Sequence, residues 1–129
     1  MDESKKPASK MPTILVIDDS DIDRQVMMDL LTRAGFPVYD LPTAIGATRA
    51  AREFGARLVV IDQNLPALNG AKLAALFRSN PSMKDIKLVL ISSNDESTMS
   101  DLMREARADA FVSKNRMHSD LVPTIRRLI

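Results

Sequence analysis

The sequence predicts an α/β fold, in which helices cover both faces of a doubly wound, five-stranded parallel sheet. Two observations lead to this prediction. Short runs rich in valine, isoleucine and leucine lack polar alternation, which is typical of strands buried on both faces. These runs also alternate five times with helical patterns, as consecutive βα units do.

Five runs give the strands of this sheet. The clearest strand signals are the apolar runs at residues 13–17, 58–61, 88–91 and 110–113. A weaker run at 38–41 contains a tyrosine and an aspartate, and its polar content indicates a strand at the edge of the sheet. Right-handed crossovers leave few topologies. We choose the flavodoxin-like strand order 2-1-3-4-5, which places strands 1 and 3 side by side at the switch point.

Capping residues define the first two helices. Ser20 or Asp21 can begin the first helix, and Gly35 ends it. Thr43 can cap the second helix, which Gly55 ends. The apolar residues that we place on the inner face of the first helix are Ile22, Val26, Met27, Leu30, Leu31 and Ala34.

The other three helices follow the third, fourth and fifth strands. One runs from about residue 71 to 78, and Asn80-Pro81 breaks it. The next begins near Ser97, and its inner face contains Met99, Leu102, Met103 and Ala106. The last helix contains Pro123, which fits only in a first turn, so we expect this helix to start late or with a distorted turn.

The composition is that of an ordinary soluble globular domain. The chain has 129 residues, 45% of them hydrophobic, and this length can bury the core of one domain. A net charge of +1 gives no reason to expect a nucleic-acid partner. No apolar run approaches the ~20 residues of a membrane span, so we expect no membrane partner, and the absence of cysteine suits the cytoplasm. We interpret the polar residues 1–11 as a disordered leader before one domain at 12–129.

Polar side chains stand at the carboxyl ends of four predicted strands. Asp18 and Asp19 follow the first strand, and Asp62 follows the third. Ser92 follows the fourth strand and Lys114 the fifth. These strand ends emerge at one edge of a parallel sheet, where ligand crevices form. Three neighbouring carboxylates suit Mg²⁺, which prefers oxygen ligands. A carboxylate can also accept a phosphoryl group, whose oxygens the ammonium and the hydroxyl would then contact.

Each of these residues has a simpler interpretation when it is taken alone. An Asp-Asp pair after a strand is often only a loop and a helix cap, and a lone serine or lysine is usually a surface residue. We interpret Asp21 and Asp23 as cap and solvent residues, and His118 as a helix-start or surface residue. The joint placement at four strand ends is hard to obtain by chance, and the site prediction depends on it.

Four stretches of the chain carry a family resemblance. They are ILVIDDSD at 14–21, LVVIDQNLPALNG at 58–70, LVLISS at 88–93 and ADAFVSK at 108–114. With these stretches the chain closely resembles the CheY-like receiver domain of two-component response regulators. The resemblance implies a stand-alone receiver in which Asp62 accepts a phosphoryl group from a sensor histidine kinase or a phosphotransfer protein. It implies no enzymatic activity beyond the domain's own phosphorylation and dephosphorylation.

The resemblance also implies the metal ligands. Asp19 and Asp62 would bind Mg²⁺ directly, and Asp18 would act mainly through water. The backbone carbonyl of Asn64 would supply a further ligand.

A switch is implied as well, in which Ser92 is the switch hydroxyl and Lys114 is the family's lysine. Phe111 falls at the aromatic switch position, although it cannot make the hydrogen bond of a tyrosine. The output surface for a downstream target protein would be the fourth helix, the fifth strand and the fifth helix.

Some residues depart from the family pattern. Asn115 stands where the family usually has proline, and Gln63 and Ser93 replace residues that are usually apolar. These departures leave open an alternative, a receiver-like interaction module that does not depend on phosphate. A phosphohydrolase with Asp62 as its nucleophile is disfavoured, because such enzymes carry a second aspartate where this chain has Asn64.

Overall fold

The computed structural model describes residues 11–93 and 96–129 of the chain. Five strands and five α-helices alternate in this part. The strands are β1 (Thr13–Ile17), β2 (Val38–Leu41), β3 (Ala56–Asp62), β4 (Lys87–Ser92) and β5 (Ala110–Ser113). The helices are α1 (Asp21–Arg33), α2 (Ala47–Phe54), α3 (Gly70–Ser79), α4 (Glu96–Ala106) and α5 (Met117–Leu128). Except for Met11, the leader predicted at 1–11 lies outside the described residues.

The five strands form one parallel sheet with the order β2-β1-β3-β4-β5. The predicted fold class and strand order are therefore confirmed, as is the edge position of β2. In register, Ile17 of β1 pairs with Ile61 of β3, and Asp62 pairs with Ile91 of β4. The carboxyl ends of the first, third and fourth strands therefore lie side by side at the switch point.

Two apolar layers sandwich the sheet. On one face, strand residues such as Ile14 and Val60 pack against Met27 and Leu31 of α1 and against α5. On the other face, strand residues whose side chains point the opposite way pack against α2, α3 and α4. The buried α3 side chains of this second layer are Ala71, Leu73, Ala74 and Phe77. Since both faces are covered, the central strands need no polar alternation, which explains their sequence pattern.

Helix α1 begins and ends where the sequence predicts. The hydroxyl of Ser20 accepts a hydrogen bond from the Asp23 amide, so Ser20 is the N-cap, and Gly35 follows the helix with φ +96°. The prediction that Ile22 lies on the inner face is wrong, because its side chain is 78% exposed. Ile22 lies five residues before the buried Met27. Side chains five residues apart differ in direction by about 140° around the helix axis, so Ile22 points away from the core.

Helix α2 starts later than predicted. Its N-cap is Gly46 with φ +77°, and its first residue is Ala47. The Thr43 hydroxyl accepts a hydrogen bond from the Ile45 amide instead, so it shapes a turn before the helix. The helix cannot extend back through Gly46, whose left-handed backbone interrupts it.

Pro123 also departs from the expectation, because it lies in the interior of α5 rather than in its first turn. Because proline has no N–H, the backbone carbonyl of Ser119 lacks its helical hydrogen bond. Both Pro123 and Ser119 are exposed, so water can donate a hydrogen bond to this carbonyl instead. In α4, Leu102, Met103 and Ala106 face the core as predicted, whereas the side chain of Met99 lies outside the described part. None of the helices described is both long and apolar enough to cross a bilayer.

Candidate functional site

The loops after β1 and β3 are built alike, and each uses one oxygen of an aspartate. Oδ1 of Asp18 accepts a hydrogen bond of 2.9 Å from the Ser20 amide. Oδ1 of Asp62 accepts one of 3.1 Å from the Asn64 amide. Each carboxylate therefore orders its own loop with one oxygen. The second oxygen of each faces the ammonium of Lys114 in the crevice between the loops.

The predicted acidic cluster is present at this edge. Oxygen atoms of Asp18, Asp19 and Asp62 all lie within 4.8 Å of one another. Asp18 and Asp62 are buried, whereas Asp19 is exposed to solvent. Oδ2 of Asp18 receives no hydrogen bond and makes only an ion pair with Lys114. Three hard oxygen ligands, one of them a buried carboxylate oxygen held by an ion pair, fit a divalent cation such as Mg²⁺ that keeps part of its water shell.

Burial has the largest effect on the pKa of the Asp62 carboxyl. It raises the pKa of this carboxyl to about 6, because the charged form loses its hydration. The hydrogen bond from the Asn64 amide lowers this pKa, the neighbouring Asp18 raises it, and Lys114 lowers it. Burial therefore disfavours the charged form of this carboxyl, and a positive charge close to it favours that form.

Lys114 reaches into the same crevice from the end of β5. Its Nζ lies 3.0 Å from Oδ2 of Asp18 and 3.5 Å from Oδ2 of Asp62. The shortest contact, 2.8 Å, is to Oδ2 of Asp23 in the first turn of α1. Burial lowers the pKa of Lys114, but Asp23 and Asp18 more than offset this effect, so the lysine stays charged. The sequence interpretation of Asp23 as a cap and solvent residue is therefore wrong.

The other predicted residues lie close to this crevice. Ser92 is fully buried at the end of β4, one residue beyond the partner of Asp62 in the sheet register. Phe111 is half-buried on β5, opposite Leu90, and packs against the layer formed by α2, α3 and α4. Asn64, two residues after Asp62, is exposed.

The segment after β5 forms a short 3-10 turn. It covers Lys114–Arg116, and the Ser113 hydroxyl caps it by accepting a hydrogen bond from the Asn115 amide. No cis peptide bond occurs among the residues described, so the bond between Lys114 and Asn115 is trans.

Gln63 is a residue whose role the sequence did not indicate. Its side chain is buried, and its Oε1 accepts a hydrogen bond of 2.9 Å from the Ala71 amide at the start of α3. Its backbone carbonyl accepts another from the Gly70 amide. A Cβ at Gly70 would lie 2.5 Å from the carbonyl oxygen of Asp62, so only glycine allows this approach. The start of α3 thus lies directly against the backbone of Asp62 and Gln63.

Arg24 is a second residue whose role the sequence did not indicate. Its guanidinium donates to the backbone carbonyl of Asp18 at 2.8 Å and to Asp40 of β2 at 2.8 Å. A third bond, of 2.7 Å, goes to Asp21. The hydrogen bond to Asp21 contributes most to raising the pKa of Arg24, although burial partly opposes it. Arg24 therefore connects α1, the loop after β1 and the edge strand.

The fold and the site together define an α/β protein with an acidic ligand site at the switch point of its sheet. A model of the response regulator receiver domain matches residues 14–126, and the chain therefore belongs to this family, the receiver domains of two-component response regulators. Receiver domains bind Mg²⁺ at such an acidic cluster and interact with histidine kinases or phosphotransfer proteins and with downstream targets.

Individual relatives agree with this assignment. The two-component response regulator ORR5 of Oryza sativa subsp. japonica is 27% identical over 123 residues, covering 92% of this chain and 89% of that protein. The aerobic respiration control protein ArcA of Escherichia coli K12 is 25% identical over 92% of this chain, which spans 48% of its length. The solved structure of chemotaxis protein CheY4 of Vibrio cholerae superposes with a TM-score of 0.85 at 20% identity, covering 92% and 99% of the two chains. This last similarity supports the fold alone.

Proposed function

We propose that the protein is a cytoplasmic response regulator whose receiver domain accepts a phosphoryl group on Asp62 with the help of Mg²⁺. The donor is a phosphohistidine of a sensor histidine kinase or a phosphotransfer protein. In this proposal the protein catalyses only its own phosphorylation and dephosphorylation. The observation that carries it is the convergence of Asp18, Asp19 and Asp62 with the Lys114 ammonium in one crevice.

The geometry around Asp62 supports the role of acceptor. One of its oxygens is engaged by the Asn64 amide, whereas the other points toward Lys114 and the acidic cluster. This second oxygen can form a bond to phosphorus while the bond from phosphorus to the donor imidazole nitrogen breaks, and that nitrogen keeps the electron pair. Lys114 lies close enough to neutralise charge that develops on the phosphoryl oxygens. Bound Mg²⁺ would supply further charge neutralisation at the three carboxylates.

Ser92 and Phe111 would transmit the effect of phosphorylation to the output surface. Ser92 ends β4 next to the acceptor strand, and Phe111 packs beside β4 on the same side as α4. We propose that Ser92 donates a hydrogen bond to the phosphoryl group and that Phe111 then repacks inward. The face formed by α4, β5 and α5 would thereby change its affinity for a target protein. This is a differential stabilisation of two conformations by a covalent ligand.

Intact mass measurement tests the proposal. The protein is incubated with acetyl phosphate, with and without Mg²⁺, and the Asp62→Asn variant is treated in the same way. We expect one phosphoryl adduct that requires Mg²⁺ and is absent from the variant. A parallel incubation with a phosphorylated histidine phosphotransfer protein covers the case in which a small donor reacts poorly.

Two outcomes would contradict the proposal. An adduct that persists in Asp62→Asn would assign the acceptor elsewhere. A wild-type protein that binds Mg²⁺ but accepts no phosphoryl group from either donor would favour the phosphate-independent interaction module. Partner binding that is unchanged in Asp62→Asn would then support that alternative.

A further inference from the structure

The ammonium of Lys114 is shared by three carboxylates, and the acceptor is the most distant of them. The distances from Nζ are 2.8 Å to Asp23, 3.0 Å to Asp18 and 3.5 Å to Asp62. The Lys114 side chain is only 13% exposed, so these contacts are formed with little screening by solvent. The lysine is therefore held mainly by two groups that do not accept phosphate.

Asp23 is well placed to hold the lysine. Its backbone amide donates to the Ser20 hydroxyl, which fixes the residue in the first turn of α1. Its side chain is 30% exposed and reaches across the crevice to a residue 91 positions later in the chain. Asp21 lies in the same turn, but its side chain is 87% exposed and pairs with Arg24. A general preference for acidic residues at helix starts therefore accounts for Asp21, but it does not account for the contact of Asp23 with Lys114.

We propose that Asp23 is a positioning residue that holds the Lys114 ammonium on the α1 side of the site. This inference rests on the proposed function, since it concerns a lysine that serves a phosphoryl group on Asp62. In the unphosphorylated protein, Asp23 keeps the ammonium from moving fully into the acidic cluster. When a phosphoryl group is present, Asp23 competes with it for the same ammonium.

Removing the Asp23 charge should change the affinities for Mg²⁺ and for a phosphoryl mimic in opposite directions. Without the Asp23 charge, the ammonium moves toward Asp18 and Asp62, where it repels a divalent cation. The same movement brings it closer to an anionic group on Asp62. The Asp23→Asn variant should therefore bind Mg²⁺ more weakly and a phosphoryl mimic more tightly, each by about three- to tenfold for a unit charge at these distances in a partly solvated site. General damage to the site would weaken both.

The experiment measures the two affinities separately. Calorimetric titration with Mg²⁺ alone gives the cation affinity, and ¹⁹F NMR titration with beryllofluoride at saturating Mg²⁺ gives the affinity for a phosphoryl mimic. The matched control is Asp21→Asn, which removes the same charge from the same turn without touching the lysine. We expect this control to stay within about twofold of the wild type for both ligands, because Asp21 is exposed and screened. Asp23→Glu keeps the charge and should stay closer to the wild type than Asp23→Asn.

A double-mutant cycle isolates the lysine. In a Lys114→Met background, Asp23→Asn should no longer increase the affinity for beryllofluoride. An increase that persists in this background, equal effects of Asp21→Asn and Asp23→Asn, or weaker binding of both ligands would overturn the inference. If the wild type binds beryllofluoride and Asp23→Asn changes neither affinity, the inference fails while the proposed function stands. A wild type that binds no beryllofluoride and accepts no phosphoryl group overturns both.

Discussion

Replacing Asp62 with asparagine is expected to stabilise the metal-free protein at neutral pH, although it removes the proposed phosphoryl acceptor. The carboxyl is buried, and burial raises its pKa from 3.8 to about 6. An acid with a raised pKa in the folded state favours folding when it is protonated and opposes folding when it is ionised. Lys114 loses its most distant partner in the variant but keeps the two nearer ones, Asp18 and Asp23.

The expected magnitude follows from the two pKa values. A rise from 3.8 to about 6 means that ionised Asp62 costs about 3 kcal/mol of folding free energy at pH 7.5. The cost falls to about 1 kcal/mol at pH 4.5, where the folded protein is largely protonated at this group. An asparagine side chain must still be buried with its amide satisfied, so we expect a gain of about 1 to 3 kcal/mol at pH 7.5.

Urea denaturation in the presence of a chelator measures this gain. Wild type and Asp62→Asn are compared at pH 7.5 and at pH 4.5, and the difference between them should shrink by about 2 kcal/mol on acidification. The control is Asp101→Asn, because Asp101 is an exposed residue of α4 that pairs with Arg104. Its free energy of unfolding should differ from the wild type by less than about 0.5 kcal/mol at both pH values.

Two results would contradict this expectation. If Asp62→Asn is less stable than the wild type at pH 7.5, the contact with Lys114 outweighs the cost of burial. If the difference does not depend on pH, the carboxyl titrates near its ordinary value. Mg²⁺ provides an independent check, since it should stabilise the wild type more than the variant.

Three further substitutions test the contacts that support the site, each by urea denaturation at pH 7.5. Gln63→Ala leaves the Ala71 amide at the start of α3 without its acceptor, so the free energy of unfolding should fall by about 1 to 3 kcal/mol. Gly70→Ala places a methyl group 2.5 Å from the Asp62 carbonyl oxygen. This substitution should lower the free energy of unfolding by about 1 to 3 kcal/mol through overpacking. It should also weaken Mg²⁺ binding, because the loop that begins at Asp62 has to shift. Arg24→Met removes three hydrogen bonds of the guanidinium and should cost about 1 to 3 kcal/mol.

Each of these expectations has a control or a contradicting result. Arg49→Met is the matched control for Arg24, since Arg49 is 79% exposed and its ion pair is a surface pair within one helix. An unchanged denaturation midpoint in Gly70→Ala would mean that the start of α3 can move away from the acceptor at no cost. If Gln63→Ala and the wild type are equally stable, water replaces the glutamine oxygen at the helix start.

Much of the fold could be predicted from the sequence because its signals are local. A doubly buried strand shows as an apolar run, and helix ends show as residues such as Ser20 and Gly35. The predictions failed where one local pattern of residues is compatible with two structures. Thr43 is a good cap in isolation, but the left-handed Gly46 starts the helix later. Pro123 is unfavourable inside a helix, but packing of α5 and the exposure of the proline overcome its local cost.

Local residue patterns specify the layered α/β fold and the placement of acidic, hydroxyl and ammonium groups at the strand ends. Parallel strands bring their carboxyl ends to one edge, so strand order alone makes Asp18, Asp19 and Asp62 neighbours. The partners of these groups, in contrast, follow from how the helices and strands pack. The contact between Asp23 and Lys114 joins residues 91 positions apart, and the contact of Gln63 with α3 depends on how closely that helix approaches the acceptor. Such contacts depend on distances between elements, which no local pattern of residues encodes.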